Sequence, residues 1–469
     1  MNDLAIVWFR RDFRLADNPA LDHACERHAQ VLPVYIHDVE AEGDWAPGAA
    51  SRWWLHHALI DLDLRLRERG SRLLIRAGAA RELLTRLVAE TGAAAVYWNR
   101  LYEPSLVARD RQIKQQLRDA DVHAQSFRAA ALFEPWELLK DDQQPYRVFT
   151  PFWKRMQRDW RAVSHCPEPR QLPPAPKGPA SASVQDLGLL PDHDWPDTLA
   201  GHWTVGERAA KQRLGGFVEC VADYDERRNR PDLNGTSRLS PDLHFGHLSP
   251  MQVVEALSPA GELPDGKGAL AYVRELAWRE FSMAMLFHEP RLSDEPLQPR
   301  FQAFPWRAAD EYADDLARWQ RGRTGVPLVD AGMRELWATG WMHNRVRMVV
   351  ASWLTKNLLI PWQEGARWFW DTLVDADLAN NTQGWQWTAG CGADAAPYFR
   401  VFNPELQAGK FDPEARYIQR WCPELAGLDH KALAKMDAHA RRHCGYPSLQ
   451  ADLKRSRQRA LDAFAEIRA

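Results

Sequence analysis

The pattern of hydrophobic and polar positions divides the chain into two kinds of sequence. The first part alternates short apolar runs with longer amphipathic stretches. Such short runs are typical of buried parallel strands, and the stretches between them have the helical period. The runs that predict strands are Leu4–Phe9, Val31–Ile36, Arg72–Ala77 and Ala94–Asn99. The alternation predicts an α/β fold with a doubly wound parallel sheet for residues 1–130.

The sequence indicates where one of the amphipathic stretches ends. Residues Ser51–Gly70 have helical periodicity, and a glycine at the end of such a stretch favours helix termination. The first domain contains neither a GxGxxG motif nor a P-loop. A bound nucleotide therefore cannot be assigned to it from glycines.

The second kind of sequence is helical. Residues 131–204 form a predicted connector, which is rich in proline, alanine and serine over 166–182. After it the strand pattern ends, and long helical periodicities follow, most clearly over 269–288 and 333–359. These patterns predict an all-α C-terminal domain over residues 205–469.

Composition narrows the class of protein. The chain has 469 residues, a formal net charge of -3, 45% hydrophobic and 26% charged residues, and 22 tryptophans. These values are typical of a globular enzyme of two or three domains, and any nucleic-acid contact must come from a local basic patch. The six cysteines lack metal-ligand spacing, and no apolar run reaches the roughly 20 residues that span a bilayer. We expect a cytoplasmic monomer without a metal site or a membrane contact.

The segment Asp375–Pro404 is chemically the richest part of the chain. It combines two aspartates, two adjacent asparagines, a Trp-Gln-Trp triplet and an aromatic-arginine turn. Carboxylates bind sugar hydroxyls or pair with arginines, amides bind a heteroaromatic edge, and indoles stack or relay electrons. The combination indicates a site for a large, planar, redox-active molecule.

Two helical faces and one loop carry further candidates. Glu275, Trp278 and Arg279 share a face by their spacing, and a second predicted stripe is Trp341, Asn344, Arg347 and Met348. Buried amides and charges need partners, and Asp375 is the natural partner of Arg347. The loop from Gly235 to Ser240 offers hydroxyl and backbone donors for phosphates, although a helix N-cap explains any single Ser or Thr equally well.

Taken together, these motifs resemble the DNA photolyase/cryptochrome family. The resemblance runs from VWFRRDFRL at residues 7–15 to FDPEARYIQRW at residues 411–421, and it is nearest to the class I photolyases of cyclobutane pyrimidine dimers. It implies FAD as cofactor and UV-damaged DNA as partner. The residues that it assigns to FAD are Tyr224, Thr236, Ser237, Arg238, Leu239, Ser240, Arg279, Asn344, Arg347, Asp375, Ala376, Asp377 and Asn381.

The resemblance also implies residues for repair. Asn381 takes the place beside the redox-active N5 of the flavin, and the residues at the flipped-out dimer are Glu275, Trp278, Trp387, Asn344, Arg345 and Met348. Arg228, Arg345 and Gln407 match positions near the damaged strand. The electron relay is Trp385, Trp362 and Trp306, with Trp319 as a weaker candidate for its outer end.

The implied function is light-dependent repair of cyclobutane pyrimidine dimers by electron transfer from photoexcited reduced FAD. The alternatives are a cryptochrome-type blue-light photoreceptor and a photolyase for the pyrimidine–pyrimidone photoproduct, whose relatives have a histidine pair where this chain has only His343. A flavoprotein reductase is the least favoured. A second, antenna chromophore is expected to be of another kind than folate, because Ser105 and Leu106 replace the Asn-Glu pair of folate-binding relatives.

Overall fold

A single parallel sheet organises the N-terminal part of the computed structural model, which describes residues 3–191, 194–395 and 399–468. The five strands have the order β3-β2-β1-β4-β5. They are β1 Leu4–Phe9, β2 Gln30–His37, β3 Leu74–Ala77, β4 Ala95–Asn99 and β5 His123–Phe127. The helices between them are α1 Pro19–Arg27, α2 Ala49–Glu68, α3 Ala80–Thr91 and α4 Pro104–Asp119. The predicted doubly wound α/β fold is confirmed.

The sheet differs from the prediction at one edge. All four predicted strands are present, whereas β5 was not predicted because its sequence HAQSF is polar and only Ala124 in it is buried. A strand at the edge of a sheet needs no continuous apolar run. The helix predicted over residues 51–70 is α2, and Gly70 follows it with a φ of +82°.

The rest of the described chain is helical, as predicted. Three of the longer helices are α11 Lys267–His288, α13 Pro327–Thr339 and α21 Leu453–Glu466. The others are α5 Phe149–Arg158, α6 Trp195–Ala200, α7 Glu207–Cys220, α8 Tyr224–Arg227, α9 Ser240–His244, α10 Pro250–Leu257, α12 Ala309–Gln320, α14 Asn344–Ser352, α15 Trp362–Thr372, α16 Leu378–Ala389, α17 Pro404–Phe411, α18 Arg416–Trp421, α19 His430–Ala434 and α20 Ala438–His443.

The long periodicity over residues 333–359 is not one helix. α13 ends before Gly340, which has a φ of +65°, and α14 begins only at Asn344. A π-helix, Trp353–Asn357, follows directly. The predicted helical stripe is therefore wrong for Trp341, which lies between two helices. A left-handed glycine ends a helix whatever the apolar spacing beyond it.

The chain divides into two compact units. Unit 1 comprises Met1–Tyr146, Thr150–Ala222 and Ser237–Pro290, and unit 2 comprises Arg147–Phe149, Asp223–Thr236 and Arg291–Ala469. The domain boundaries at residues 130 and 204 stay predictions. None of the helices in the described part of the chain has the length and apolar character needed to cross a membrane.

Candidate functional site

Glu275, Trp278 and Arg279 share one face of α11 in unit 1, as predicted. All three side chains are partly exposed. The indole of Trp278 packs edge-on against Phe281, with ring centroids 5.7 Å apart. The Arg279 guanidinium donates to the carbonyl of Ala130 over 2.6 Å, which fixes its position. This face therefore presents an acid, an indole and a guanidinium together.

The residue after this trio, Glu280, is a functional candidate that the sequence analysis missed. Its carboxylate is buried and accepts hydrogen bonds from the backbone N–H groups of Leu132 and Phe133, at 3.1 and 3.2 Å. Burial is the main cause that raises the pKa of Glu280 to about 7, and Arg279 opposes it. An acid at a buried position of an amphipathic helix is the signal that could have found it.

The hydroxyl-rich loop is divided between the two units, because Thr236 belongs to unit 2 and Ser237 to unit 1. The hydroxyls of Ser237 and Tyr272 lie 2.9 Å apart, and the Leu239 N–H donates to Ser237 Oγ over 3.3 Å. Arg238 has a φ of +53°. The N-cap position of α9 belongs to Leu239, so the alternative of a hydroxyl N-cap from this loop is not formed. Ser240 is the first residue of that helix.

The N-terminus of α14 in unit 2 is capped by His343. Its Nδ1 accepts from the backbone N–H of Arg345 over 3.1 Å, which requires an unprotonated nitrogen. Burial, followed by the charges of Arg345 and Arg347, lowers the pKa of His343 to about 4. The neutral imidazole thus positions the helix that carries Asn344, Arg347 and Met348, all three at least partly exposed.

Arg347 and Asp375 form the predicted pair. The guanidinium Nη2 of Arg347 donates to both carboxylate oxygens of Asp375, at 2.8 and 3.0 Å. The next residue, Ala376, is buried, and Asp377 caps α16 by accepting from the Asn380 N–H over 2.9 Å. The carboxylates of this segment are therefore held in place before any ligand binds.

One face of α16 is open. Asn381, Gly384 and Trp387 follow each other at intervals of three residues, and a Cβ added at Gly384 would have no atom within 4 Å. The Asn381 amide donates to the carbonyl of Ala366 over 3.0 Å, and the Trp387 indole donates to the carbonyl of Asp394 over 3.0 Å. We call Asn381, Gly384 and Trp387 the α16 strip. Its amide, indole and free space fit a planar aromatic ligand such as a flavin.

Two tryptophans of the predicted relay are buried, and one of them, Trp385, lies one turn after Asn381 on α16. Trp385 is buried against the backbone of α15, because a Cβ at Gly365 would lie 2.0 Å from its ring. Trp319 contacts Trp385 with ring centroids 6.1 Å apart, and it is fully buried. Trp362 is also buried and lies one turn before Gly365. Trp306 is partly exposed. Of the two candidates for the outer end of the relay, only Trp306 has access to solvent.

Arginines gather near the start of α14. Arg345 Nη2 donates to Asn229 over 2.5 Å, and its guanidinium lies 4.5 Å from the ring centroid of Phe411. Burial lowers the pKa of Arg345, and the charges of Arg228 and Arg400 lower it further. Arg400 was missed, although it belongs to the aromatic-arginine turn. Arg228 lies over the buried ring of Tyr224, and Gln407 is partly buried on α17.

Lys356 is a second missed residue. It is fully buried in the π-helix, and its ammonium donates to the carbonyl of Ala389 at the end of α16 over 2.6 Å. The nitrogen also lies 3.0 Å from the ring centroid of Phe399. Burial lowers the pKa of Lys356 well below its usual value. Lys356 therefore holds the C-terminal end of the helix that carries the α16 strip.

Comparison with known proteins identifies this arrangement. The chain matches a family model for DNA photolyase over residues 5–177 and one for the FAD-binding domain of DNA photolyase over residues 272–466. A deoxyribodipyrimidine photo-lyase of Agrobacterium fabrum is 42% identical over 99% of this chain and 98% of that protein. The chain belongs to the DNA photolyase and cryptochrome family. Its C-terminal helical part is therefore an FAD-binding domain.

Two further similar proteins are a cryptochrome and a class III photolyase. Cryptochrome-2 of Arabidopsis thaliana is 38% identical over 91% of this chain and 72% of that protein. The crystal structure of a bacterial class III photolyase from Agrobacterium tumefaciens has a TM-score of 0.93, with 41% identity, and covers 100% of this chain and 98% of that one. The predicted family and fold are confirmed, whereas the placement nearest to class I stays a prediction.

Proposed function

We propose that this protein repairs cyclobutane pyrimidine dimers in DNA, using FAD and light. The observation that carries the proposal is the α16 strip, where Gly384 leaves free space between the amide of Asn381 and the indole of Trp387. Glycine within a helix costs about 1 kcal/mol relative to alanine, so packing alone does not favour it there. When bound, reduced FAD supplies the photoexcited electron that the cleavage of the dimer requires.

The chain's own residues hold the two reactants. The thirteen FAD residues named from the family resemblance are proposed to bind the cofactor, and the Arg347–Asp375 pair fixes two of them in advance. Glu275 is proposed to accept a hydrogen bond from the flipped base, and Trp278 and Trp387 to stack on it. Stacking contributes about 1–3 kcal/mol per base. Asn344, Arg345 and Met348 complete the proposed dimer pocket.

The tryptophans and arginines have separate proposed roles. Trp385, Trp362 and Trp306 are proposed to deliver electrons from solvent to oxidised FAD, and the exposure of Trp306 supports it as the outer end. Arg228, Arg345 and Gln407 are proposed to contact the damaged strand. Burial and, after it, repulsion from Arg228 and Arg400 lower the pKa of Arg345, and phosphates between the arginines would relieve the repulsion.

A blue-light photoreceptor is the second candidate, because cryptochrome-2 of Arabidopsis is 38% identical over 91% of the chain. Repair of the pyrimidine–pyrimidone photoproduct is less favoured. The photolyases of that photoproduct use a histidine pair, whereas this chain has only His343 at the matching positions. His343 is buried, and its Nδ1 accepts the hydrogen bond that caps α14. A folate antenna is also disfavoured, since Leu106 is 2% exposed on α4 and offers no polar group.

The test uses duplex DNA with one thymine dimer and the FAD-loaded protein, in blue light and in darkness. We expect dimers to disappear only in light, and the rate to fall at least about tenfold in Glu275→Gln because the neutral amide loses the charge-assisted hydrogen bond that the carboxylate accepts. Glu262→Gln changes an exposed acid and serves as the matched control. A light-independent loss of dimers, or no loss at all, contradicts the proposal. The second outcome favours the photoreceptor.

A further inference from the structure

Two segments of unit 2 that are distant in sequence lie against each other. Arg318 Nη2 donates to the carbonyl of Ser448 over 2.7 Å, and Arg441 Nη1 donates to the carbonyl of Gly325 over 2.6 Å. The backbone N–H of Gln450 donates to the carbonyl of Thr324 over 2.8 Å. The end of α12 and the chain between α20 and α21 therefore form one continuous surface.

This surface is strongly basic. Its exposed cations are Arg321, Arg323, Arg442, Lys454 and Arg455, which we call the basic surface. Within residues 3–191, 194–395 and 399–468, none of the five forms a salt bridge. Two nearby acids bind backbone groups. Asp437 and Asp452 cap α20 and α21, accepting from backbone N–H groups at 2.8 and 2.7 Å.

Two of the five cations are unfavourably placed for helix stability. Lys454 and Arg455 lie in the first turn of α21, where the helix dipole favours acids rather than bases. Neighbouring like charges also repel each other, and the chain as a whole has a net charge of -3. Five unpaired cations concentrated on one surface of such a chain indicate an external anion.

We propose that the basic surface binds the phosphate backbone of nucleic acid, as a second contact beyond the dimer pocket. α13 begins beside this surface and ends just before the Trp341–Arg345 segment. Its 13 residues separate the two places by about 20 Å. At about 3.4 Å per nucleotide of one strand, that is roughly six nucleotides. A second contact on the same duplex raises the effective concentration of the lesion at the pocket.

An acidic protein is the less fitting partner. Protein-binding surfaces have an apolar centre, and the only large apolar side chain described as exposed on these two segments is Leu449. Arginine, four of the five cations, binds phosphate in bidentate geometry. The chemistry of the surface therefore favours a regular array of phosphates.

The experiment replaces all five cations by glutamine and measures DNA affinity by fluorescence anisotropy. The duplexes are undamaged 30-bp DNA and lesion-centred duplexes of 30 and 8 bp. We expect affinity for both 30-bp duplexes to fall at least about tenfold. The slope of log K against log salt should decrease in magnitude by about 0.9 for each phosphate that the protein no longer neutralises. The 8-bp duplex should bind almost unchanged, because it does not extend about 20 Å from its lesion.

The matched control removes five exposed cations from unit 1, by glutamine at Arg81, Arg86, Arg111, Arg118 and Lys177. An equal loss of affinity in this variant would show a mere effect of net charge and overturn the proposal. Unchanged affinity in the first variant, or binding of polyglutamate in preference to duplex of equal charge, would also overturn it. Circular dichroism and FAD content verify folding. The undamaged duplex makes the result independent of the proposed repair, on which the proposal otherwise rests.

Discussion

Buried cationic side chains in the two compact units can be satisfied in different ways. In unit 1, Arg65 is held by a network of salt bridges. Arg65 is 2% exposed and forms salt bridges with Glu207 and, over 2.7 Å, with Glu168. In unit 2, His343 and Lys356 are equally buried, yet neither forms a salt bridge with any described residue, and burial lowers the pKa of both.

This difference indicates which of the two units is expected to bind a charged ligand. A buried ion pair is complete in itself, so the Arg65 network has no capacity for a further charged partner. The helices of unit 2 are held by a neutral imidazole and by a lysine on a carbonyl, while their arginines and amides stay accessible. Among the substitutions that test this difference, the largest expected effect is on cofactor binding and the smallest is on a single hydrogen bond.

Filling the α16 strip should have the largest effect. In Gly384→Leu the side chain enters the free space beside Asn381 and Trp387, so we expect retained FAD to fall below about a tenth of the wild-type content. The helix itself should gain roughly 0.5–1 kcal/mol because glycine is the poorer helix former. Flavin absorbance of the purified protein and urea unfolding measure the two effects.

Gly365→Ala is the matched control for this change. It adds a methyl group within 2.0 Å of Trp385, so it should destabilise the protein by about 1–3 kcal/mol through overpacking. Full FAD retention in Gly384→Leu would show that the α16 strip is not part of the cofactor site. A stability gain in Gly365→Ala would show that the Trp385 packing is described wrongly.

Removing one buried cation from each unit tests the comparison directly. Arg65→Met removes one of the two cations that bind buried Glu207, which keeps Lys211 at 2.7 Å and two backbone N–H groups, and should cost about 3 kcal/mol. Lys356→Met removes a cation that burial already disfavours, so the loss of stability should stay below about 1.5 kcal/mol, the typical net value of one hydrogen bond. Urea midpoints of both variants at neutral pH provide the measurement. Equal losses would abolish the distinction between the units.

The pH dependence sharpens the comparison because the two units respond with opposite signs. Glu280 in unit 1 has a pKa raised from 4.5 to about 7, so its contribution is present below about 4.5 and is lost as the pH rises towards 7. His343 in unit 2 has a pKa lowered to about 4, so its contribution is present above about 6.5 and is lost as the pH falls towards 4. Each shift corresponds to on the order of 3 kcal/mol.

Two conservative variants separate these contributions. Glu280→Gln keeps an acceptor for Leu132 and Phe133, and it should remove a fall in stability between about pH 4.5 and 7. His343→Asn keeps a capping oxygen for Arg345, and it should flatten the profile only between about 4 and 6.5. Urea midpoints across the pH range measure both, and because the two pH intervals overlap, a change of the opposite sign in either variant would refute its assignment.

The sequence predicts those parts of the molecule whose determinants are local or strongly periodic. The buried strands, the helix over residues 269–288 and the Arg347–Asp375 pair follow from apolar runs, helical spacing and charge complementarity. β5 was missed because an edge strand needs no apolar run, and the break at Gly340 because periodicity does not register a left-handed residue. The roles of His343, Glu280 and Lys356 were not predicted for a third reason, because they depend on burial in the tertiary structure.

The smallest predicted effect concerns Asn381. Its amide donates to the Ala366 carbonyl, and Asn381→Asp cannot make this bond, so we expect a loss of about 1 kcal/mol in stability. If the α16 strip holds FAD, the new carboxylate also disfavours the negatively charged reduced cofactor. The reduction potential of bound FAD should become more negative and repair slower, with FAD content unchanged. Redox titration under visible absorbance measures the potential.

Asn380→Asp places the same charge one residue away, about 100° around the helix from Asn381. It should lower stability, because Asn380 donates to Asp377 over 2.8 Å, and leave the potential almost unchanged. A surface asparagine at 381 would leave both the potential and the flavin spectrum untouched, and a purely structural one would lose FAD altogether. Equal shifts of the potential in the two variants would show that only long-range charge acts on FAD. This outcome would contradict the placement of the α16 strip at the redox-active edge of the cofactor.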